Sequence, residues 1–83
     1  MQDDKFLARY IEINPHYPTP DEARVKEYGV SVWALIAHLH SVDGDVTRVA
    51  HDYVLPKEAV EAAMGYYERH KDLIDARIAA NVT

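Results

Sequence analysis

The stretch that most restricts how this chain can fold is Val46 to Tyr66, VTRVAHDYVLPKEAVEAAMGY. It reads as two short helices joined by a tight turn. Val46 to Asp52 forms the first helix, Tyr53-Val54-Leu55-Pro56 the turn, and the second helix begins at Pro56 or Lys57. The fixed φ of proline suits a first helical turn, where its missing N–H would be unpaired in any case. Val49 and Ala50 face inward from the first helix, Leu55 plugs the turn, and Val60, Ala63 and Met64 face inward from the second. This is the trace of a helix-turn-helix, although a plain αα-hairpin leaves a similar one.

Upstream, Lys5 to Ile13 is ambiguous. Leu7, Tyr10 and Ile11 fit a helical face, whereas Tyr10 to Ile13 alternates like a strand. We expect a strand at Arg9 to Ile13, ended by Asn14-Pro15 and paired with a second at Arg24 to Lys26. Between them, Pro15, Pro18 and Pro20 stiffen an extended loop, or an arm that lies on a partner chain. Gly29 suggests a turn with positive φ. Ser31 is expected to cap a helix over Val32 to His40 through its hydroxyl. Val32, Leu35, Ile36 and Leu39 share one face of that helix, with Trp33 to the side as a core lid or an interface anchor. Ser41 to Asp45 breaks the helix, Gly44 turns, and Asp45 caps the next one.

Downstream, no breaker separates Tyr66 from Ala80. The spacing predicts one helix from Lys57 to about Ala79, on the order of 35 Å long. Leu73, Ile74 and Ile78 would then project and need cover from another chain; a kink near His70 that folds the tail back is the alternative. Met1 to Asp4 and Asn81 to Thr83 read as frayed ends. The expected fold is mainly α: a tri-helical helix-turn-helix domain with a short N-terminal β ribbon and a long C-terminal helix. It forms a single domain over 1–83, with a ribbon or arm at 5–30, a helix-turn-helix core at 31–66 and a C-terminal helix extension at 67–80.

Chemistry is sparse. With no cysteine, a disulfide framework, a thiolate zinc site and a cysteine nucleophile are excluded. His38 and His40 diverge by about 200° on their helix, which rules out a shared metal, and no HExxH occurs. Ser31 and Ser41 read as helix-end residues, and the acids Glu58/Glu61 and Asp72/Asp75 as solvated faces. We therefore expect no enzyme, no cofactor and no metal. No apolar run approaches the ~18 residues of a membrane span, and the acidic N-terminus lacks a secretory stretch, so a cytoplasmic location is expected.

The net charge of −5 disfavours nucleic-acid binding through overall charge. At the start of the second helix, Lys57, Glu58, Glu61, Ala62 and Gly65 are expected to be exposed. Two carboxylates there against one ammonium suit phosphates poorly. Other cations, Arg9, Arg24, Lys26 and Arg48, could align as a stripe in a two-fold dimer.

The run VKEYGVSVWALIAHL, with the helix-turn-helix and AVEAAMGYYERH after it, resembles the domain-of-unknown-function 433 family of small bacterial and archaeal proteins. Val25 to Val32 stands where that family has isoleucine-arginine-glycine-threonine-arginine-isoleucine-proline-valine. Val25, Lys26, Val30 and Val32 keep the character. Glu27 and Gly29 replace the family's glycine and second arginine, and Ser31 its proline. Val60, Ala62, Ala63, Met64, Tyr66 and Tyr67 match at the far end. The resemblance implies a dimeric antitoxin-like protein beside a PIN-like ribonuclease toxin. In such a protein Arg24, Lys26, Arg48 and Lys57 would contact operator DNA. Trp33, Tyr66, Leu73, Ile74, Arg77 and Ile78 would form the partner-binding set, with Leu73, Ile74 and Ile78 buried in a toxin groove. The competing expectation is a dimeric protein-interaction module with no DNA-binding activity, anchored by Trp33 and the Tyr66/Tyr67 pair.

Overall fold

Leu7 and Tyr10 stand three residues apart, so a helix through them puts both on one face. The computed structural model, which describes residues 4–81, builds that helix: α1 spans Asp4–Tyr10. Asp4 in its first turn and Arg9 in its last both suit the helix dipole. Phe6 and Tyr10, one turn apart, meet edge to face with ring centroids 5.4 Å apart. The helix therefore takes Arg9 and Tyr10, which the sequence reading assigned to a strand. Strand β1 is left with Ile11–Glu12. It pairs antiparallel with β2, Arg24–Val25, in the register Ile11↔Val25 and Glu12↔Arg24. The ribbon is thus formed where expected, but shorter. Of the residues read as frayed ends, Met1 to Asp3, Val82 and Thr83 lie outside the described residues, and Asp4 already belongs to α1.

The proline-rich connection contains one 3-10 turn, Pro20–Glu22. After β2, Gly29 adopts φ 70° and lets the chain reverse into α2, Val32–Ser41. Ser31 occupies the cap position in extended backbone, yet its side chain makes no capping hydrogen bond. The expected hydroxyl cap is therefore absent, and Ser31 instead bridges to Arg24 beside the ribbon. Val32, Leu35, Ile36 and Leu39 are all buried, as their spacing requires. Gly44 turns with φ 79°, and the Asp45 carboxylate accepts the Arg48 N–H at 3.1 Å to start α3, Val46–Tyr53.

The turn after α3 closes by a specific device. The Leu55 N–H reaches back to the Ala50 carbonyl at 2.9 Å, which forces Val54 into the left-handed region, φ 56° and ψ 50°. Glycine usually fills that position, and a β-branched residue there is strained. Val54 points outward, 82% exposed, while Leu55 turns in and is buried. Then α4 runs Lys57–Arg69, with Pro56 before it.

The expected 35 Å helix does not form. It stops at Arg69, His70 leaves helical geometry at φ −132° and ψ 35°, and α5 resumes at Lys71–Ala80. The His70 N–H still bonds back to Tyr66 and Tyr67, and its carbonyl accepts the Ile74 N–H, so one residue closes one helix and opens the next. The bend returns α5 against α2 and the 3-10 turn. Ile74 becomes completely buried and Ile78 packs against the core. Full burial of one such side chain is worth about 1.5–3 kcal/mol, enough to offset a single break in the helical ladder. The kinked alternative is thus the form adopted, and the projecting C-terminal extension is corrected.

The helices enclose a core whose largest fully buried side chains are Leu35, Ile36, Ile74, Val25, Val32, Val49 and Val60. Helix α4 runs through its middle, packed on α1, α2 and α3. The chain is mainly helical, with five α-helices and a two-stranded antiparallel sheet among the described residues. None of these helices is long and apolar enough to cross a membrane.

Candidate nucleic-acid interface

A phosphate-binding face needs cations that are not already neutralised by their own chain. Of the nine Lys and Arg residues, five form ion pairs. Arg24 holds Glu12 at 2.8 Å, Arg48 holds Asp52 at 3.1 Å, Lys71 holds Asp75 at 3.0 Å, and Arg69 and Arg77 pair with Asp4 and Glu22. The other four, Lys5, Arg9, Lys26 and Lys57, make no ion pair with a described residue.

Two of these four, Arg9 and Lys26, line one concavity, and the other two stand close by in sequence to its lining residues. Lys5 and Arg9 stand four residues apart on α1, one turn above the other on the same face. Arg9 and Lys26 line a concavity of about 320 Å³ together with Tyr10, Glu27, Tyr28 and Pro56. Lys57 follows Pro56 as the first residue of α4. The walls come from three places: the end of α1, the tight turn after β2, and Pro56, just before α4. Glu27 in that turn has φ 69°, another left-handed non-glycine residue. Tyr28 is 49% exposed, an aromatic surface left open to solvent.

The residues assigned from sequence to DNA therefore divide. Lys26 and Lys57 stay available at this face, whereas Arg24 and Arg48 are tied to carboxylates. The stretch of α4 expected to be exposed is also smaller than read: Ala62 and Gly65 are buried because α1, absent from the sequence reading, adds a third neighbour to α4. Lys57 and Glu58 remain exposed. Arg9 stands in the sequence as one of four cations that could align as a stripe in a dimer, whereas nothing there singles out Lys5 or Tyr28. The i, i+4 spacing of Lys5 and Arg9 becomes a signal once Leu7 and Tyr10 are read as one helical face.

The partner-binding set is largely used internally. Ile74 is in the core, and Ile78 and Tyr66 pack against it. The Tyr66 hydroxyl donates to the Pro20 carbonyl at 2.8 Å, and burial together with the Asp21 charge pushes its pKa up. Trp33 lies under the Arg77 guanidinium, 5.0 Å from the ring centroid, a cation–π contact. Its indole Nε1 is buried without a hydrogen-bond acceptor among the described residues. Leu73 alone among the six is well exposed, at 48%.

Two carboxylates fasten neighbouring helices. Asp52 on α3 accepts from His38 Nε2 on α2 at 2.7 Å and from Arg48. The His38 hydrogen bond first, then His51 and Arg48, hold its pKa below the ordinary value against partial desolvation. Asp75 on α5 accepts from the Tyr67 hydroxyl at 2.6 Å and from Lys71, and these two lower its pKa in that order. A depressed folded-state pKa contributes stability at every pH above the ordinary aspartate value of 3.8, and that stability is lost as pH falls through the depressed value. Urea midpoints should hold steady down to about pH 4 and then drop. In Asp52→Asn and Asp75→Asn that acid limb should be shallower, and an unchanged limb in both would remove these two carboxylates as its cause. Among the described residues, no group of three or more His, Asp or Glu is placed to hold a metal ion.

The chain is a small, mainly helical domain with a two-stranded antiparallel sheet, in which Arg9 and Lys26 line one concavity. Comparison with protein-family models, with curated proteins and with solved structures returns no match.

Proposed function

We propose that the chain is an operator-binding protein of the antitoxin type, acting as a homodimer and contacting DNA phosphates with Lys5, Arg9, Lys26 and Lys57. The observation that supports this reading is that Arg9 and Lys26, which make no ion pair with a described residue, line one concavity with Pro56, the residue before Lys57 and α4. The start of the second helix is also the part of a helix-turn-helix that approaches DNA. The contact uses the tip of α4, because its middle is enclosed. A PIN-like toxin remains the proposed protein partner. Such a partner would meet Leu73 and Asp72 on the outer side of α5 rather than Ile74.

Titrating upstream DNA across a salt series tests the reading. Four neutralised phosphates per protomer give a log–log slope of about −3.6, from about −0.9 per phosphate. Lys26→Gln should flatten the slope by about 0.9 per protomer, and Arg48→Gln should leave it unchanged. A slope near zero, or equal losses from both variants, would overturn the assignment. The second reading, a dimeric interaction module that never touches DNA, is favoured by the net charge of −5 and by Glu58 beside Lys57. Absence of any shift at low salt selects it.

A further inference from the structure

The concavity between α1, the turn after β2 and Pro56 is more specific than a phosphate track requires. It measures about 320 Å³, at the lower end of the roughly 300–1,000 Å³ of small-molecule sites. A strip of surface cations alone would bind any polyanion. Here two of the unpaired cations, Arg9 and Lys26, share their concavity with two aromatic rings and one carboxylate.

We infer that this concavity binds a free nucleoside monophosphate, with the phosphate held by Arg9 and Lys26 and the base stacked on Tyr28. Arg9 offers a planar fork of donors that matches phosphate oxygens, and Lys26 adds a point charge. Tyr28 presents a half-exposed ring, and Tyr10, fixed by its contact with Phe6, forms the second aromatic wall. The Glu27 carboxylate, an acceptor only, takes a hydrogen from an exocyclic amino group. Bases bearing that group are therefore preferred, and cytidine monophosphate outranks uridine monophosphate. Binding of a single nucleotide goes beyond the DNA reading and does not depend on it, because no duplex takes part.

The test is a titration of the full chain followed by amide chemical shifts. Cytidine and uridine 5′-monophosphate are the main probes, with inorganic phosphate and cytidine as the two halves. Cytidine monophosphate should shift the amides of Arg9, Lys26, Glu27 and Tyr28 and saturate at millimolar concentration or below. Phosphate alone should bind about fivefold more weakly or worse, since a stacked base contributes about 1–3 kcal/mol, and cytidine alone about tenfold more weakly or worse, since hydrogen bonds to a charged group contribute about 1.5–3 kcal/mol. Tyr28→Ala, at an exposed turn, should bring the nucleotide down to the affinity of phosphate. Arg9→Gln with Lys26→Gln should bring it down to that of cytidine. Each variant's own amide spectrum reports whether it is folded. The proposal is overturned if nucleotide shifts are absent or centred elsewhere. It is equally overturned if phosphate binds as tightly as the nucleotide, or if uridine monophosphate matches cytidine monophosphate. The DNA salt series stands apart: a duplex that binds without nucleotide binding, or the reverse, separates failure of one reading from failure of the other.

Discussion

Ile74→Asp is expected to abolish cooperative unfolding at neutral pH, while Leu73→Asp, one residue earlier, leaves the melting curve close to that of the parent. Ile74 is fully buried between α5 and the rest of the core, and Leu73 is 48% exposed on the outer side of the same helix. Trimming a buried isoleucine to alanine costs about 2–5 kcal/mol. A carboxylate in the same place adds the penalty of an unpaired buried charge. At about 0.05–0.15 kcal/mol per residue, a chain of this length has roughly 4–12 kcal/mol of total stability. The substitution therefore consumes most or all of it. Circular dichroism melts of the two variants side by side supply the check. If α5 projected into solvent as part of a continuous rod, both variants would fold and only association would change. Equal, mild effects at 73 and 74 would thus restore the rod and remove the folded-back tail.

That contrast also marks what could be read from the residues alone. The helices from Val32 onward were legible because their buried faces repeat at helical spacing and their ends carry recognisable signals: Gly44, Asp45 and Pro56. The bend at His70 was legible only as the alternative to a continuous helix, since it has no glycine or proline. Its driving force is tertiary: Ile74 buried, Arg77 paired with Glu22 across the fold, and the Tyr67 hydroxyl on Asp75. Local propensity favours continuing the helix there, and long-range contacts overrule it. The strand expected at Arg9 to Ile13 missed for a related reason. Leu7 and Tyr10 share one face of α1, but the alternation of Tyr10 to Ile13 hides it. Losing α1 also hid the candidate site, because Lys5 and Arg9 become neighbours only on a helix. Charge pairing was invisible as well: Arg24 and Arg48 look as available in the sequence as Lys26 and Lys57. Only the positions of Glu12 and Asp52 separate the two pairs.

Leu55→Asp and Val54→Gly should move stability in opposite directions from adjacent positions. Leu55 is buried at the close of the α3–α4 turn, where its N–H caps α3 on the Ala50 carbonyl. This is the hydrophobic residue that accompanies a left-handed helix terminus, and it ties the turn to the core. An aspartate in its place loses the packing and strands a charge, so no cooperative transition is expected at pH 7. Leu55→Ala isolates the packing share and should cost about 2–5 kcal/mol. Val54 bears the backbone conformation that makes this geometry possible, with a branched side chain in solvent that gains nothing from burial. Glycine relieves that strain, worth about 1–3 kcal/mol, against roughly 0.5–1 kcal/mol of added freedom in the unfolded chain. The net expectation is a gain of about 1 kcal/mol, read as a higher urea midpoint at unchanged slope. The two results are linked through one turn. A parent-like melt for Leu55→Asp, or a lower midpoint for Val54→Gly, would mean that α3 and α4 are joined by some other geometry. The concavity lined by Arg9 and Lys26, whose third wall is Pro56, would then lose the element that completes it.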